Sequence, residues 1–387
     1  MLKAINTSQS PRGTGRTIPG FRKIERLLES DRIETPVLVL SRSAVRRNLR
    51  RISRALPGVA VHYAVKANNH PAILAEVAAA GYGFDIASFQ ELQQLLEAGG
   101  RIEKTIHSHP IKSPREIAEA IAAGMTRFVV DNPDEIDKFR PYADRVKLLV
   151  RFRVDESSAV VNLSYKFGCE PSLVGSLVAK MHHLGIPYGG LTFHVGSQCL
   201  DSGVYIEAIR TAGDIIDRLA ADGFKTDLLD IGGGFPVPYT SEVPPLSEFC
   251  RGIRIALRKS IPQGIALACE PGRFISGTAV TLVASVIGKS VRSGKKWYFL
   301  DDGLYGSFSG RLYDHCRYRV LTNRNTVWKR SVLAGPTCDS FDIIYRDVLL
   351  PPLEVGDRLM FPSMGAYCSV SASTFNSLRK AEYIVTS

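Results

Sequence analysis

The chain has 387 residues, and 49 Lys and Arg against 38 Asp and Glu give it a formal charge of +11. With 45% hydrophobic and 22% charged residues, the composition excludes a disordered chain, a fibre and a coiled coil, and the length predicts about two domains. Seven cysteines without a CxxC pair, and no histidine at zinc-ligand spacing, predict a reducing, cytoplasmic compartment and no metal site.

The N-terminal segment 1–20 is rich in Ser, Thr, Gly and Pro and contains no acidic residue. We interpret it as a flexible arm, with a transit peptide as the alternative. The chain has neither a secretory apolar core nor an apolar run long enough for a membrane span. Because its Lys and Arg residues are spread along the sequence without a basic run, we expect no nucleic-acid and no membrane partner.

Short runs rich in β-branched and aromatic residues alternate with helical patterns from residue 62 to about 270. Strand–helix alternation of this kind predicts a parallel sheet, and eight units suit a (β/α)₈ TIM barrel. An open doubly wound sheet is the competing fold. The predicted strands are 62–67, 83–87, 105–109, 127–131, 147–154, 190–195, 226–231 and 266–270.

Helices are predicted between these strands, for example over 71–80, 89–98, 114–123 and 204–222. Several stop at a glycine suited to a left-handed cap, at positions 81, 99, 124 and 223. The last helix carries an apolar stripe at spacings of four and three, which is typical of a helix packed against a barrel wall. The stripe consists of Tyr205, Ile209, Ala212, Ile216 and Leu219.

The pattern changes after residue 275, where strands follow one another with little helix between them. This predicts a second, all-β domain. A further strand candidate, 36–40, precedes the barrel set, so we expect the N-terminal segment to be part of that domain. We therefore predict a barrel over 38–272 and a β domain from 21–37 with 273–387. The β-domain strands are 279–286, 296–301, 327–333, 342–349 and 358–361.

Two glycine-containing turns follow the seventh and eighth predicted strands, where barrels often hold phosphate. The first is Gly232, Gly233 and Gly234, and the second contains Gly272 and Arg273. Glycines let backbone N–H groups approach an anion, and an arginine adds a charge-assisted contact. In a barrel, residues at the C-terminal ends of the strands face one mouth, where the active site lies. Four further side chains are at or near predicted strand ends and are expected at this mouth: Lys66, Asp85, Arg151 and His194.

Lys66 lies in an otherwise apolar predicted strand, where desolvation would favour the neutral amine needed for a Schiff base. Glu270 would be a buried carboxylate beside Arg273. Taken separately, Lys66 would be interpreted as a lysine that points outward to solvent, and Glu270 with Arg273 as a structural ion pair. Together with a phosphate cradle, they indicate a pyridoxal phosphate site, in which the carboxylate keeps the pyridine nitrogen protonated.

Eight motifs occur in a fixed order and resemble one family, and the resemblance covers roughly residues 25 to 385. They resemble the ornithine/lysine decarboxylase family, pyridoxal-phosphate-dependent enzymes with the alanine-racemase fold. The motifs are YAVKAN (63–68), GFDIAS (83–88), HVGS (194–197), DIGGGF (230–235), EPGR (270–273), YDH (313–315), GPTCD (335–339) and GAY (365–367).

The resemblance implies a role for each matching cofactor residue. Lys66 would carry the Schiff base, Glu270 would hold the ring nitrogen, and His194 would stack on the ring. Asp85 and Arg151 would lie near the reactive amine. The phosphate would be held by Ser197, Gly232, Gly233, Gly234, Gly272, Arg273 and Tyr367.

The resemblance also implies the reaction: decarboxylation of a basic L-amino acid, above all L-ornithine to putrescine or L-lysine to cadaverine. Cys338 would reprotonate the substrate from a neighbouring subunit, so the expected unit is a homodimer with shared active sites. Asp314 and Asp339 would bind the distal ammonium, and we assign Tyr305 to the same substrate site.

The sequence leaves other functions open. Diaminopimelate decarboxylases resemble the chain at the cofactor motifs but have Cys-Glu where this sequence has Cys338-Asp339. Arg311 stands where ornithine decarboxylases carry an apolar residue. Turned inward it would suit a modified, acidic substrate; we expect it to turn outward, where it would be solvated. An amino acid racemase and a non-catalytic regulatory homologue are the remaining alternatives.

Overall fold

The computed structural model describes residues 33–154, 165–324 and 327–387, together with the backbone of 3–4 and 159–161. The predicted arm over 1–20 therefore lies outside the described residues, except that Lys3–Ala4 pairs with Leu321–Thr322. The chain divides into two compact units. The barrel unit comprises Arg46–Pro236 and Val243–Ile275, and the sheet unit comprises Met1–Val45, Val237–Glu242 and Ser276–Ser387.

The barrel unit contains a closed parallel barrel, which confirms the predicted fold class and excludes the open sheet. Each strand pairs with the next barrel strand along the chain, and the last pairs with the first. The barrel strands in the described residues are Val59–Ala64, Gly83–Ile86, Thr105–His107, Arg127–Val130, Lys147–Arg151, Tyr188–Thr192, Leu228–Asp230 and Ala266–Cys269.

Helices follow the barrel strands, and their ends follow the signals in the sequence. Ser88 and Ser113 accept hydrogen bonds from the backbone N–H groups of Glu91 and Glu116, three residues into their helices, as N-caps do. Glycines with positive φ end four helices at the predicted positions 81, 99, 124 and 223. The main helices are Arg42–Ala55, Pro71–Ala79, Phe89–Glu97, Pro114–Ala122, Pro133–Asp137, Val174–His183, Ser202–Ala221 and Leu246–Ser260.

The apolar stripe of helix Ser202–Ala221 is buried along its whole length, as predicted. Helix Leu246–Ser260 packs beside it, and Tyr205 contacts Phe249 edge to face with ring centroids 5.8 Å apart. This helix pair covers the last part of the barrel wall. Within the part of the chain that the structure describes, we find no helix both long and apolar enough to span a bilayer.

The sheet unit is a mostly antiparallel β sheet, so the second all-β domain is also confirmed. Its core includes Val37, Val39, Val283, Leu321 and Met360. The strands Leu321–Thr322 and Glu382–Thr386 were not predicted. The described strands of this sheet are Lys3–Ala4, Val37–Ser41, Val280–Arg292, Lys295–Leu300, Leu321–Thr322, Lys329–Ala334, Ile343–Leu350, Arg358–Pro362 and Glu382–Thr386.

Two segments depart from the predicted domain boundaries. Strand Val37–Ser41 pairs with Val280–Arg292 and Glu382–Thr386, so it belongs to the sheet and not to a barrel that starts at 38. Val237–Glu242 also belongs to the sheet unit. The Tyr239 ring packs against Tyr318, and its carbonyl oxygen accepts a bond of 2.9 Å from Arg319. Both departures reflect long-range pairing, which local sequence pattern does not report.

Candidate functional site

Lys66 stands at the C-terminal end of the first barrel strand, beside a buried carboxylate. The strand ends at Ala64, and Val65–Ala67 form one 3₁₀ turn, so the prediction that Lys66 lies within the strand is wrong. Its Nζ donates to Oδ2 of Asp85 at 2.7 Å. The side chain of Lys66 is 37% exposed, and that of Asp85 is fully buried. The amine is therefore held by an ion pair at the open barrel mouth, and not by apolar surroundings.

Three buried carboxylates lie at the strand ends around Lys66: Asp85, Asp230 and Glu270. In each, one oxygen (Oδ1 of Asp85, Oδ2 of Asp230 and Oε1 of Glu270) has no hydrogen-bond partner among the described residues. Burial raises the pKa of Glu270 well above its usual range, and the charges of Asp230 and Asp85 raise it further. A carboxylate of this kind binds a proton, or a protonated base placed against it, tightly.

Asp230 offers a test of this cluster that does not depend on activity. Burial raises its pKa to about 7, against about 3.9 in an unfolded chain. The folded state therefore holds a proton that the unfolded state releases, so this group lowers the free energy of unfolding as the pH rises from about 4 to about 7. We expect Asp230→Asn to flatten that decline in the cofactor-free protein, measured by urea unfolding at about pH 5 and about pH 7.5.

The exposed Asp222, which caps the end of helix Ser202–Ala221, provides the control. Asp222→Asn should keep the wild-type dependence on pH. If Asp230→Asn also kept it, Asp230 would be ionised in the folded protein throughout this range.

His194 lies next to this cluster and is uncharged at neutral pH. Burial lowers its pKa well below the usual range, and the positive charges of Arg151 and Lys66 lower it further. Its Nδ1 accepts a hydrogen bond of 3.0 Å from the backbone N–H of Gly196. The ring therefore carries its proton on Nε2. A neutral imidazole fixed in this way presents a flat face without adding charge.

The glycine turn after the seventh strand is packed too tightly for any side chain. A Cβ on Gly233 would lie 2.6 Å from the Glu270 carbonyl oxygen and 3.1 Å from Nε2 of His194. Gly232 has φ +66°, and its N–H donates to Oδ1 of Asp230 at 2.9 Å. The turn thus brings backbone against His194 and Glu270, which requires glycine.

Arg273 and Ser197 form the cationic side of the same mouth. Arg273 is buried, and its Nη2 and Nε donate to Oγ of Ser197 at 2.8 and 3.3 Å. The Gly272 backbone lies so close to Ala64 and Ala67 that a Cβ would be 2.8 Å from that of Ala67. A buried guanidinium beside a hydroxyl and a glycine turn suits a phosphate group.

The barrel residues fit the cofactor that the sequence implies. A pyridoxal phosphate needs an amine, an anion cradle and a carboxylate for its ring nitrogen. Lys66, the Arg273–Ser197 pair and Glu270 offer these groups in one barrel mouth. The unsatisfied Oε1 of Glu270 is the strongest sign, because a buried carboxylate oxygen without a partner is costly unless a ligand supplies one.

Arg151 ends the barrel strand Lys147–Arg151. The predicted substrate residues, Cys338 and Tyr367 lie in the sheet unit, where Asp342 organises the loop that carries Cys338 and Asp339. The buried carboxylate of Asp342 accepts bonds from the backbone N–H of Leu304 at 2.7 Å and from Oγ1 of Thr337 at 2.8 Å. A Cβ on Gly335 would lie 2.3 Å from that carboxylate. The GPTCD motif therefore needs its glycine for this close approach.

Cys338, Asp339 and Tyr305 form one cluster on this loop. The Tyr305 hydroxyl donates to Oδ2 of Asp339, and this bond lowers the pKa of Asp339. The Tyr305 ring stacks on Phe375 with centroids 4.5 Å apart. The thiol of Cys338 is exposed, and its backbone N–H donates to Oδ1 of Asn376 at 3.1 Å. The cluster presents an ionised carboxylate and a thiol at the surface of the sheet unit.

Arg311 follows neither of the two orientations considered from the sequence. It is partly buried, and its guanidinium lies over the Tyr345 ring at 4.7 Å. It donates to the carbonyl oxygens of Ile344 and Cys316 at 3.1 and 3.0 Å. The side chain links the backbone at Ile344 to the backbone at Cys316. The predicted outward, solvated position is therefore wrong.

Asp314 and Tyr367 also lie in the sheet unit. Asp314 is the partly exposed residue that ends helix Gly310–Tyr313. Tyr367 has φ +57°, and its carbonyl oxygen accepts a bond of 2.7 Å from Oγ of Ser371. Their roles in substrate and phosphate binding stay predictions.

Sequence reasoning missed Asp230, Asp342 and Glu91. Burial raises the pKa of Glu91 to about 7, and its Oε2 accepts a bond of 2.7 Å from the Ala87 backbone N–H. Asp230 directly precedes the glycine turn, which was the available signal. Glu91 stands three residues after the N-cap Ser88, a capping-box position that the sequence also showed. Asp342 had no signal, because only the fold brings it to Leu304.

Comparisons with known proteins agree with this geometry. Residues 42–277 match the family model described as pyridoxal-dependent decarboxylase, pyridoxal binding domain. The chain is 39% identical over 357 residues to the lysine/ornithine decarboxylase of Selenomonas ruminantium, covering 92% of this chain and 90% of that protein. It is 35% identical over 347 residues to the ornithine decarboxylase of Mus musculus, covering 84% of this chain and 75% of that protein.

A solved structure agrees over nearly the whole chain. The crystal structure of lysine/ornithine decarboxylase from Vibrio vulnificus, complexed with cadaverine, matches with a TM-score of 0.90 and 40% identity. The match covers 96% of this chain and 99% of that chain.

Proposed function

Because the chain belongs to the pyridoxal-dependent decarboxylases, we propose that it converts L-ornithine to putrescine and L-lysine to cadaverine. The observation that carries this proposal is the Lys66–Asp85 pair beside the unsatisfied Oε1 of Glu270. The relatives that act on ornithine and lysine support the choice of substrate.

Pyridoxal phosphate, when bound, supplies the electron sink that accepts the electron pair left by the departing CO₂. Asp85 orients the Lys66 amine. Glu270, buried with an unpartnered Oε1, would lie against the ring nitrogen and hold a proton between the two atoms. His194 stays neutral and adds no opposing charge. Arg273, Ser197 and the glycine turn hold the phosphate. Cys338 delivers a proton to Cα of the substrate after CO₂ has left.

Replacing Glu270 tests the electrostatic part of this scheme. Glu270→Gln keeps the shape of the side chain but removes its charge, so the ring nitrogen loses its anionic partner. We expect kcat to fall by about 10²- to 10³-fold, with the cofactor still bound through Arg273 and Ser197. Steady-state kinetics beside the absorbance of bound cofactor measures both effects.

Glu119 gives the matched control, because it is a partly exposed glutamate on helix Pro114–Ala122 that pairs with Arg115. Glu119→Gln should leave kcat unchanged. An undiminished kcat in Glu270→Gln would remove Glu270 from the mechanism.

The distal ammonium of the substrate is proposed to bind Asp339, whose charge is secured by Tyr305. Hydrogen bonds to charged groups contribute about 1.5–3 kcal/mol, so we expect Asp339→Asn to lower kcat/KM for ornithine by about 10- to 150-fold. Asp347, exposed and paired with Arg330, provides the control variant Asp347→Asn. An unchanged kcat/KM in Asp339→Asn would place the ammonium site elsewhere.

We expect a substrate whose side chain is unmodified, because the Arg311 guanidinium already has partners within the protein. Its guanidinium is held by two carbonyl oxygens and the Tyr345 ring. This arrangement supports plain ornithine and lysine over acidic derivatives, for which a freely accessible cation would be needed.

The functional unit is proposed to be a homodimer in which Cys338 and Asp339 serve the partner's barrel. Apolar side chains of the sheet unit that are exposed in one chain support an interface with a partner subunit. Phe341, Phe375 and Leu378 are 55%, 41% and 38% exposed. Mixing inactive Lys66→Ala with inactive Cys338→Ala tests this directly. Mixed dimers should recover activity at one of their two sites, whereas a site built within one subunit would give no recovery.

We propose a cytoplasmic location for the enzyme. All seven cysteines are free thiols, and Cys338 is exposed. An exposed thiol required for catalysis needs a reducing compartment.

A further inference from the structure

Two segments of the barrel unit's sequence contain arginine but no acidic residue. Residues 46–75 include five arginines in the helix Arg42–Ala55 and no Asp or Glu. Residues 249–269 include Arg251, Arg254, Arg258 and Lys259, again without an acid. Each of these two stretches, which are nearly 200 residues apart, therefore carries several positive charges that no acid in the same stretch offsets.

The fold brings these two segments together at the N-terminal end of the barrel. Strand Val59–Ala64, which follows the first segment, pairs in parallel with Ala266–Cys269 at the end of the second. Nη1 of Arg254 donates to the carbonyl oxygen of Ala55 at 2.7 Å. Helices Arg42–Ala55 and Leu246–Ser260 therefore meet at the end of the barrel opposite Lys66.

Five cations of these helices form what we call the basic face: Arg47, Arg50, Arg54, Arg258 and Lys259, all exposed. Within the described residues, none of the five forms an ion pair with a carboxylate. Arg50 and Arg54 are four residues apart on one helix, where like charges are destabilising. A face that keeps unpaired like charges together is suited to an anionic partner with several charges.

The basic face borders a cleft of about 420 Å³. Arg254 and Arg258 contribute to its lining, and Val59, Leu257 and Leu267 give it an apolar floor. This size, together with an apolar interior and a cationic edge, falls in the range typical of small-ligand sites.

We propose that the basic face binds the phosphate backbone of a single-stranded nucleic acid, with one base in the cleft. Four of the five cations are arginines, whose planar guanidinium matches phosphate geometry. Membrane insertion is disfavoured because the apolar side of helix Arg42–Ala55, with Leu49 and Ile52, is buried inside the protein. The sequence argued against nucleic acid because the cations are spread along the chain, but the fold gathers them.

Fluorescence anisotropy of a labelled oligothymidylate of about 20 nucleotides, titrated with the holoenzyme over a range of salt, tests the proposal. The logarithm of the binding constant should fall linearly with the logarithm of salt, with a slope of about −3 for four or five phosphate contacts. The variant R47Q/R50Q/R54Q/R258Q should bind at least about 10-fold more weakly at low salt, with a slope near zero.

A matched control removes the same number of charges from cations that already have carboxylate partners. R115Q/K180Q/R210Q/R330Q should bind as the wild type does. Both variants should keep the decarboxylase rate, because none of these residues is among the proposed cofactor, substrate or proton-donor residues.

Four results would overturn the proposal. The first is an equal loss of binding in both variants, because the effect would then depend on net charge alone. The second is no binding of the wild type at low salt. The others are tighter binding of a duplex of the same length, and tighter binding of vesicles containing phosphatidylserine.

Discussion

Lys66→Ala is expected to lose activity by about 10⁴-fold or more, on the order found when a covalent catalytic group is removed. Lys66 is the amine that Asp85 holds at 2.7 Å in the barrel mouth, and alanine can neither bond to the cofactor nor pair with this carboxylate. The variant should also lose the absorbance band near the visible edge that the lysine-linked cofactor gives. Absorbance and CO₂ release, measured on the same sample, check both expectations.

Lys225→Ala is the appropriate control for this substitution, because Lys225 is 88% exposed. It should keep the band and the rate. If Lys66→Ala kept both, the cofactor would be linked elsewhere, and the assignment of the barrel mouth as the active site would be wrong.

Cys338→Ala is expected to slow turnover by about 10²- to 10⁴-fold, the range for a lost general acid. Its side chain is exposed on a loop that Asp342 fixes through Leu304 and Thr337, so the substitution should change chemistry without disturbing the fold. Cofactor absorbance should remain normal, because the proposed cofactor contacts are barrel residues. Product analysis should show a larger share of wrongly protonated product.

The neighbouring exposed Ser340 allows a control on the same loop. Ser340→Ala should keep the wild-type rate and product. A normal rate with normal product in Cys338→Ala would exclude this thiol as the proton donor.

The sequence predicted the barrel well because strands and helices in a (β/α)₈ unit have distinct apolar periods. All eight barrel strands overlap their predicted ranges. Glycine caps and Ser or Asn N-caps are local signals as well, so helix ends were also readable. The first strand misled most, because YAVKAN continues as an apolar run although the chain turns into a 3₁₀ helix after Ala64.

The features missed in the sequence depend on contacts between distant residues. The predicted boundary at residue 38 cut through the strand Val37–Ser41, and its pairing with Glu382–Thr386 shows that all of it belongs to the sheet. The charge state of Asp230 depends on burial beside Glu270 and Asp85. Arg311 differs from its expected environment because Tyr345 and two carbonyl oxygens lie within its reach. None of these neighbours is near in sequence.

The central claim is most directly tested by offering the cofactor-loaded protein L-ornithine, L-lysine, L-arginine and diaminopimelate in parallel, while measuring CO₂ release and identifying the amine formed. We predict CO₂ with putrescine from ornithine and with cadaverine from lysine. Racemised amino acid without CO₂ would contradict decarboxylation. No turnover of any of the four by protein with intact cofactor absorbance would contradict the proposed substrate class.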